Sequence, residues 1–196
     1  MNYLGHIYFS FDDLDMMYAN LHGEFIKGNS YTSQPKAIQD GVKLHRFIDH
    51  TIDTHPAVRE LLHELYPTLP KVSSVAVDLY FDHLLAKYWN RFHSSNLEHY
   101  LETFYAFESD LTPHFHINFL EQIKRMRQIK WLSHYKKHEG LIKMCAGVGS
   151  RFSFPHSLND APTVFLEKEE YIYSIFESFM HDAEQTIHEF YLNLTK

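Results

Sequence analysis

The chain has 196 residues, the length of one domain or at most two small ones, and enough to bury a core without disulfides or a structural metal. Eighteen Lys and Arg against 25 Asp and Glu leave a formal net charge of −7, which argues against a protein that coats nucleic acid. A single cysteine, Cys145, excludes a disulfide framework, no run approaches the ~18 apolar residues of a membrane span, and the opening Met-Asn-Tyr-Leu-Gly-His lacks the basic stretch of a signal peptide, so a soluble, cytoplasmic protein is expected.

Apolar residues at i, i+3 and i+4 predict helices over about Leu14 to Lys27, Pro35 to Asp53, Pro56 to Tyr66 and Val72 to Phe92. The same spacing continues over Leu97 to Glu108, Phe115 to Gln128, Trp131 to Lys137, Leu141 to Val148 and Pro162 to Leu194. Pro35, Pro56 and Pro162 stand near helix starts, where a missing N–H costs least. Period-two alternation is absent over any useful length, and no linker or repeat divides residues 1–196. The expected fold is a single-domain, all-α bundle of eight or nine helices.

The chain holds 16 histidines and 31 aromatic residues. Histidine is a common metal ligand and acid–base group, but many here, such as His55, His63, His93 and His138, occupy helix-surface positions. Position therefore has to select among them. On a helical wheel Asp78 and Asp82 share a face with Val75, Leu85 and Trp89, while Ala76, Leu79, Tyr80 and Leu84 fill the opposite side. A helix apolar nearly all round is expected to be central, and two carboxylates buried in it call for a positive partner. His83 lies one position further round.

His45 and Asp49 likewise share an aliphatic stripe with Ile38, Val42 and Ile52. Taken alone that pair reads as a buried His–Asp hydrogen bond, but two such pairs on two helices favour one shared centre. Glu24 lies on the stripe of Met17 and Leu21, with Gly28 beside it expected to permit close approach, and His6 precedes that helix. The set His6, Glu24, His45, Asp49, Asp78 and Asp82 is rich in oxygen and has no thiolate, which suits Mn²⁺ or Mg²⁺ better than structural zinc. Tyr80, Phe81 and Trp89 could line a substrate groove, although helical spacing favours core packing.

The stretches MNYLGHIYFS, ANLHGEFIKG (19–28), GVKLHRFIDH (41–50), IDTHP (52–56), VDLYFDHLLAKYW (77–89), WLSHY (131–135) and GVGSR (147–151) occur in an order and spacing that resemble the acyl carrier protein phosphodiesterases. That family is treated as an atypical branch of the HD-domain phosphohydrolases. The resemblance implies an HD-domain-like helical fold, a divalent metal such as Mn²⁺, and removal of 4′-phosphopantetheine from the serine of holo-acyl carrier protein. Glu24 matches the acidic position of the N-L-x-G-D-F-x-K-G pattern, where the family commonly has Asp. His22 replaces an aliphatic residue. His45 and Asp49 match L-H-R-x-I-D, and Asp78, Asp82 and His83 match D-x-x-x-D-H.

On that resemblance Glu24, His45, Asp49 and Asp82 are expected to hold the metal, and Asp78 to be a further ligand or the base that orients water. Arg46 is expected to clamp a phosphate, and His83 and His6 to move protons or support the ligands. The literal His181–Asp182 dipeptide stands apart from these motifs. The run Lys124, Arg125, Arg127, Lys130, Lys136 and Lys137 reads as a solvated face or as a docking surface for an acidic carrier protein. Two other readings remain open: a related metal phosphohydrolase acting on a small phosphoester or nucleotide, and a non-catalytic carrier-protein or phosphopantetheine binder.

Overall fold

In the computed structural model, which describes residues 1–196, the chain is helical and contains no strand. A short helix, α1 (Tyr3–Tyr8), precedes every element expected from the periodicity. Residues Leu4–Tyr8 are all buried, so no polar stripe betrays the helix in the sequence. Phe11 and Asp12 then take positive φ and turn the chain into α2 (Leu14–His22), whose first turn is capped by the Asp13 carboxylate accepting from the Met16 N–H at 2.9 Å. The helix expected to reach Lys27 ends at His22 and tightens into a 3₁₀ turn over Gly23–Phe25.

The long helices α3 (Lys36–Thr54) and α4 (Pro56–Leu65) follow Pro35 and open on Pro56, as the prolines suggest. In α5 (Ser73–Lys87), 11 of 15 residues are buried, which makes it the central helix. It stops short of Phe92 because Tyr88 leaves helical φ/ψ, and a 3₁₀ turn over Trp89–Arg91 takes over. Next come α6 (Leu97–Ala106) and α7 (Ile117–Ile129), and α7 is ended by Lys130 in the left-handed region. The expected helix over Trp131 to Lys137 is only a 3₁₀ turn, Trp131–His134. The chain finishes with α8 (His138–Gly149) and the 34-residue α9 (Ala161–Leu194), which is broken at Lys168.

One contiguous apolar core runs from Met1 to Ile187. Helices α1, α4, α8 and α9 pack around α5, while α2 lies along α3. Tyr80, Phe81 and Trp89 are buried in this core and line none of its three main cavities. No helix is long and apolar enough to cross a membrane.

The closest helix approach is between α2 and α3. A Cβ on Gly41 would lie 2.3 Å from the Ala19 Cβ and 2.4 Å from its carbonyl carbon. One turn further along, a Cβ on Gly23 would lie 2.6 Å from the His45 Cβ. The intimate contact beside Glu24 is therefore made by Gly23 and not by Gly28, which faces open space and serves a positive-φ turn. Because the Gly41 neighbour includes backbone, relief requires the helices to separate. Gly41→Ala is expected to lower unfolding free energy by about 1–3 kcal/mol, read as a lower urea midpoint at unchanged slope.

Candidate active site

A cavity of about 320 Å³ opens between α1, the 3₁₀ turn after α2, α3, α5 and the C-terminal end of α8. His6, Glu24, His45, Asp49 and Asp78, drawn from separate stretches of sequence, all line it. Larger grooves lie over the first turns of α9 and along α7, but neither carries an imidazole.

The His6 and His45 rings stack with centroids 4.3 Å apart and planes 19° from parallel. The Asp49 carboxylate bridges them, with Oδ1 at 3.2 Å from His6 Nε2 and Oδ2 at 3.3 Å from His45 Nε2. Glu24 Oε2 lies 3.6 Å from the same His45 nitrogen. His6, His45 and Asp49 each offer one ligand atom, and these atoms lie within 4.8 Å of one another.

The tautomer of His6 is fixed by its neighbours. Asn20 Nδ2 donates to the His6 carbonyl at 2.9 Å and to Ser10 Oγ at 3.1 Å, so Asn20 Oδ1 must be the acceptor for His6 Nδ1–H at 3.0 Å. In the neutral ring the lone pair then sits on Nε2 and points at Asp49. Burial, and then His45, push the His6 pKa down. Burial works to raise Asp49, yet the hydrogen bond and charge of His6, with His45 and the N-terminal amine, bring it down to about 2. Glu24 is lowered by its His45 contact against the effect of burial. His45 Nδ1 is buried without any partner. The two imidazole nitrogens and the Asp49 carboxylate, with Glu24 beside His45, make a donor set that fits a divalent cation, and Asn20 supplies the outer hydrogen bond that orients His6.

The other expected site residues divide. Asp78 lines the cavity, and its Oδ1 accepts from the Met1 amine at 2.8 Å. Asp82 does not reach the cavity. Its Oδ1 accepts from the Asn2 and Gly5 N–H groups at 3.1 and 3.0 Å and its Oδ2 from Leu4 N–H at 2.8 Å, so the expected ligand instead caps α1. Burial pushes its pKa up to about 7, against the opposing pull of the N-terminal amine and those amides. His83 turns away as well, donating through Nδ1 to the Tyr135 carbonyl at 2.6 Å with its ring edge-on to Phe165. Arg46 donates to the Gly28 carbonyl and lies over the Tyr31 ring, which ties down the loop before α3, and it does not line the cavity where a phosphate would sit. His22 also avoids the cavity: its Nε2 accepts from His116 N–H at 2.9 Å, and it packs on Phe115 and Phe119. The His181–Asp182 dipeptide is exposed on α9, where Asp182 pairs with His55 at 3.2 Å.

Two charged lining side chains carried no expected role, Asp53 and Arg151. The GVGSR stretch contained the signal for Arg151, without a wheel or a spacing to assign it. The basic run also thins out. Arg127 turns inward to the Tyr18 hydroxyl at 3.0 Å and to the Phe107 carbonyl, Lys130 pairs with Glu102 at 2.6 Å, and Lys136 pairs with Glu98. Lys124, Arg125 and Lys137 remain exposed and unpaired. Replacing Asp82 by Asn turns one acceptor into an amino group facing N–H donors. Asp82→Asn is expected to lose about 1–3 kcal/mol in urea unfolding, and Asp82→Ala more, because three amides are then left without an acceptor.

The family model described as "Acyl carrier protein phosphodiesterase" matches residues 1–183. The acyl carrier protein phosphodiesterase of Enterobacter sp. (strain 638) is 24% identical over 162 residues, covering 82% of this chain and 84% of that protein. The protein of the same name from Salmonella agona (strain SL483) is 25% identical over the same share of each chain. No solved structure matches. With the match running through nearly the whole helical domain, this chain belongs to the acyl carrier protein phosphodiesterase family, enzymes that hydrolyse phosphodiester bonds.

Proposed function

We propose that this protein is a metal-dependent phosphodiesterase that releases 4′-phosphopantetheine from the serine of holo-acyl carrier protein. The observation that carries the reading is the convergence of His6, Glu24, His45, Asp49 and Asp78 on one cavity in a chain of this family. His6, His45, Asp49 and Glu24 would hold the divalent ion, Mn²⁺ being the choice that the oxygen-rich set favours, in an HD-type arrangement. When bound, the ion supplies positive charge to the phosphoryl oxygens and acidifies water. Asn20 keeps the His6 lone pair turned inward. Asp78 has one oxygen free of hydrogen bonds at the cavity wall, in reach of a proton from an attacking water. Water adds to phosphorus as the P–O bond to serine breaks. The serine oxygen leaves with a proton, giving the apo carrier protein and 4′-phosphopantetheine. A cytoplasmic setting goes with this reading.

The reading based on a small phosphoester or nucleotide drew on two departures from the family pattern. His22 lies outside the cavity, so only Glu24 still speaks for it. Intact-mass analysis of holo-carrier protein is expected to show Mn²⁺-dependent conversion to the apo mass, abolished by chelator. Turnover of an aryl phosphodiester with none of the carrier would instead favour the small-substrate reading. His45→Ala and Asp49→Asn are expected to weaken Mn²⁺ binding by at least about 10-fold in a metal titration.

An acidic carrier approaching a chain of net charge −7 needs a local basic surface. Lys124, Arg125 and Lys137 are the unpaired members of the run. The segment linking them reaches the cavity mouth through Trp131, whose ring lies 6.3 Å from that of the lining residue Tyr3. Reversing these three charges to Glu is expected to raise KM for holo-carrier about 10-fold at low salt, with kcat unchanged. An unchanged KM would remove this face from the docking surface.

A further inference from the structure

Four carboxylates line the cavity: Glu24, Asp49, Asp53 and Asp78. An anionic diester entering among them meets two cations of the chain. One is the Met1 amine, already paired with Asp78. The other is Arg151, which is exposed and makes no hydrogen bond or ion pair through its side chain. Arg46 is committed to the Gly28 carbonyl and Tyr31, and does not line the cavity.

The backbone beneath Arg151 is held firmly. Arg151 N–H donates to the Val148 carbonyl at 3.1 Å and Phe152 N–H to the Gly149 carbonyl at 3.0 Å, closing the end of α8. His156 locks this turn from outside. Its Nδ1 accepts from Leu158 N–H at 3.2 Å, so Nε2 carries the proton and donates to the Gly149 carbonyl at 3.0 Å. The ring packs so closely that a Cβ on Gly149 would lie 2.7 Å from His156 Cε1. The result is an uncommitted guanidinium on a fixed base at the rim of an acidic cavity. Its planar fork can give two parallel N–H bonds to two oxygens of one phosphate, where a lysine would give only a point charge.

On the reading that the cavity accepts a phosphopantetheine ester, we propose that Arg151 is its phosphate-binding residue, gripping the non-bridging oxygens at the cavity rim. The test is calorimetric binding of 4′-phosphopantetheine, and of pantetheine without its phosphate, to the full chain, together with steady-state turnover of holo-carrier protein. Arg151→Ala is expected to weaken phosphopantetheine binding about 10- to 100-fold and to leave pantetheine binding alone. Arg151→Lys should fall between. Lys143→Ala, which removes a cation of α8 outside the cavity, should change binding by less than about twofold.

Wild-type-like phosphopantetheine binding by Arg151→Ala overturns the proposal. So does an equal loss in Lys143→Ala, an equal loss toward pantetheine, or no binding by the wild type. If the wild type binds phosphopantetheine through Arg151 yet releases none from holo-carrier, the anion site stands and the proposed reaction falls. If the wild type releases it, and Arg151→Ala matches it in both KM and Kd, the reaction stands and the role of Arg151 falls.

Discussion

Helix α1 is six residues long and carries His6 in its last turn. Isolated helices shorter than about 12–15 residues are marginal in water, so something outside α1 must hold it. That something is the buried Asp82 carboxylate of α5, which accepts three first-turn N–H groups that the helix itself cannot satisfy. At the other end, Ser10 and Asn20 both donate to the His6 carbonyl. With both ends tied, the imidazole stacks on His45 and faces Asp49. A carboxylate that touches no ligand of the cavity therefore decides whether His6 reaches it.

The opposite wall depends on packing more than on charge. His45 lies on α3 where Gly23 gives way to its side chain, and Gly41 lets α3 press against Ala19 of α2. That contact ends α2 at His22 and turns the next residues into a 3₁₀ turn, which carries Glu24 to the His45 nitrogen. An α-helix continued to Lys27, as the apolar period suggests, would have carried Glu24 round with its own wheel. The glycines set the distance and the two rings set the direction, so the donor set is built by backbone approach before any electrostatic term acts.

Much of this was legible in the sequence. The periodicity marks most of the long helices, and the wheel puts His45 with Asp49 and finds α5 central. What the wheel cannot supply is the identity of the neighbour. It gives Asp78 and Asp82 a shared face, but Asp78 meets a cavity and Asp82 meets the start of α1, a helix too short and too uniformly buried to register as a period. His83, one residue on, faces the Tyr135 carbonyl for the same reason. Gly28 drew attention beside Glu24 because it is adjacent in sequence, whereas Gly23 makes the contact because it is adjacent in space.

The expected site residues that turn to other partners share a physical trait. Asp82 is bonded to three backbone amides, His83 to a backbone carbonyl, Arg46 to the Gly28 carbonyl, and Arg127 to the Phe107 carbonyl. A backbone partner carries no side-chain identity, so no motif or spacing can announce it. Each such bond engages a charged or titratable side chain in fixing the fold, because an unmet buried polar group would cost more than the bond returns. The cavity residues behave differently. The Nε2 atoms of His6 and His45 have only the carboxylates of Asp49 and Glu24 opposite them, His45 Nδ1 has nothing, and Arg151 is unengaged. Polar atoms kept from the backbone and turned toward one another are those for which the fold has supplied no partner. A ligand can satisfy them without unmaking any part of the helix bundle.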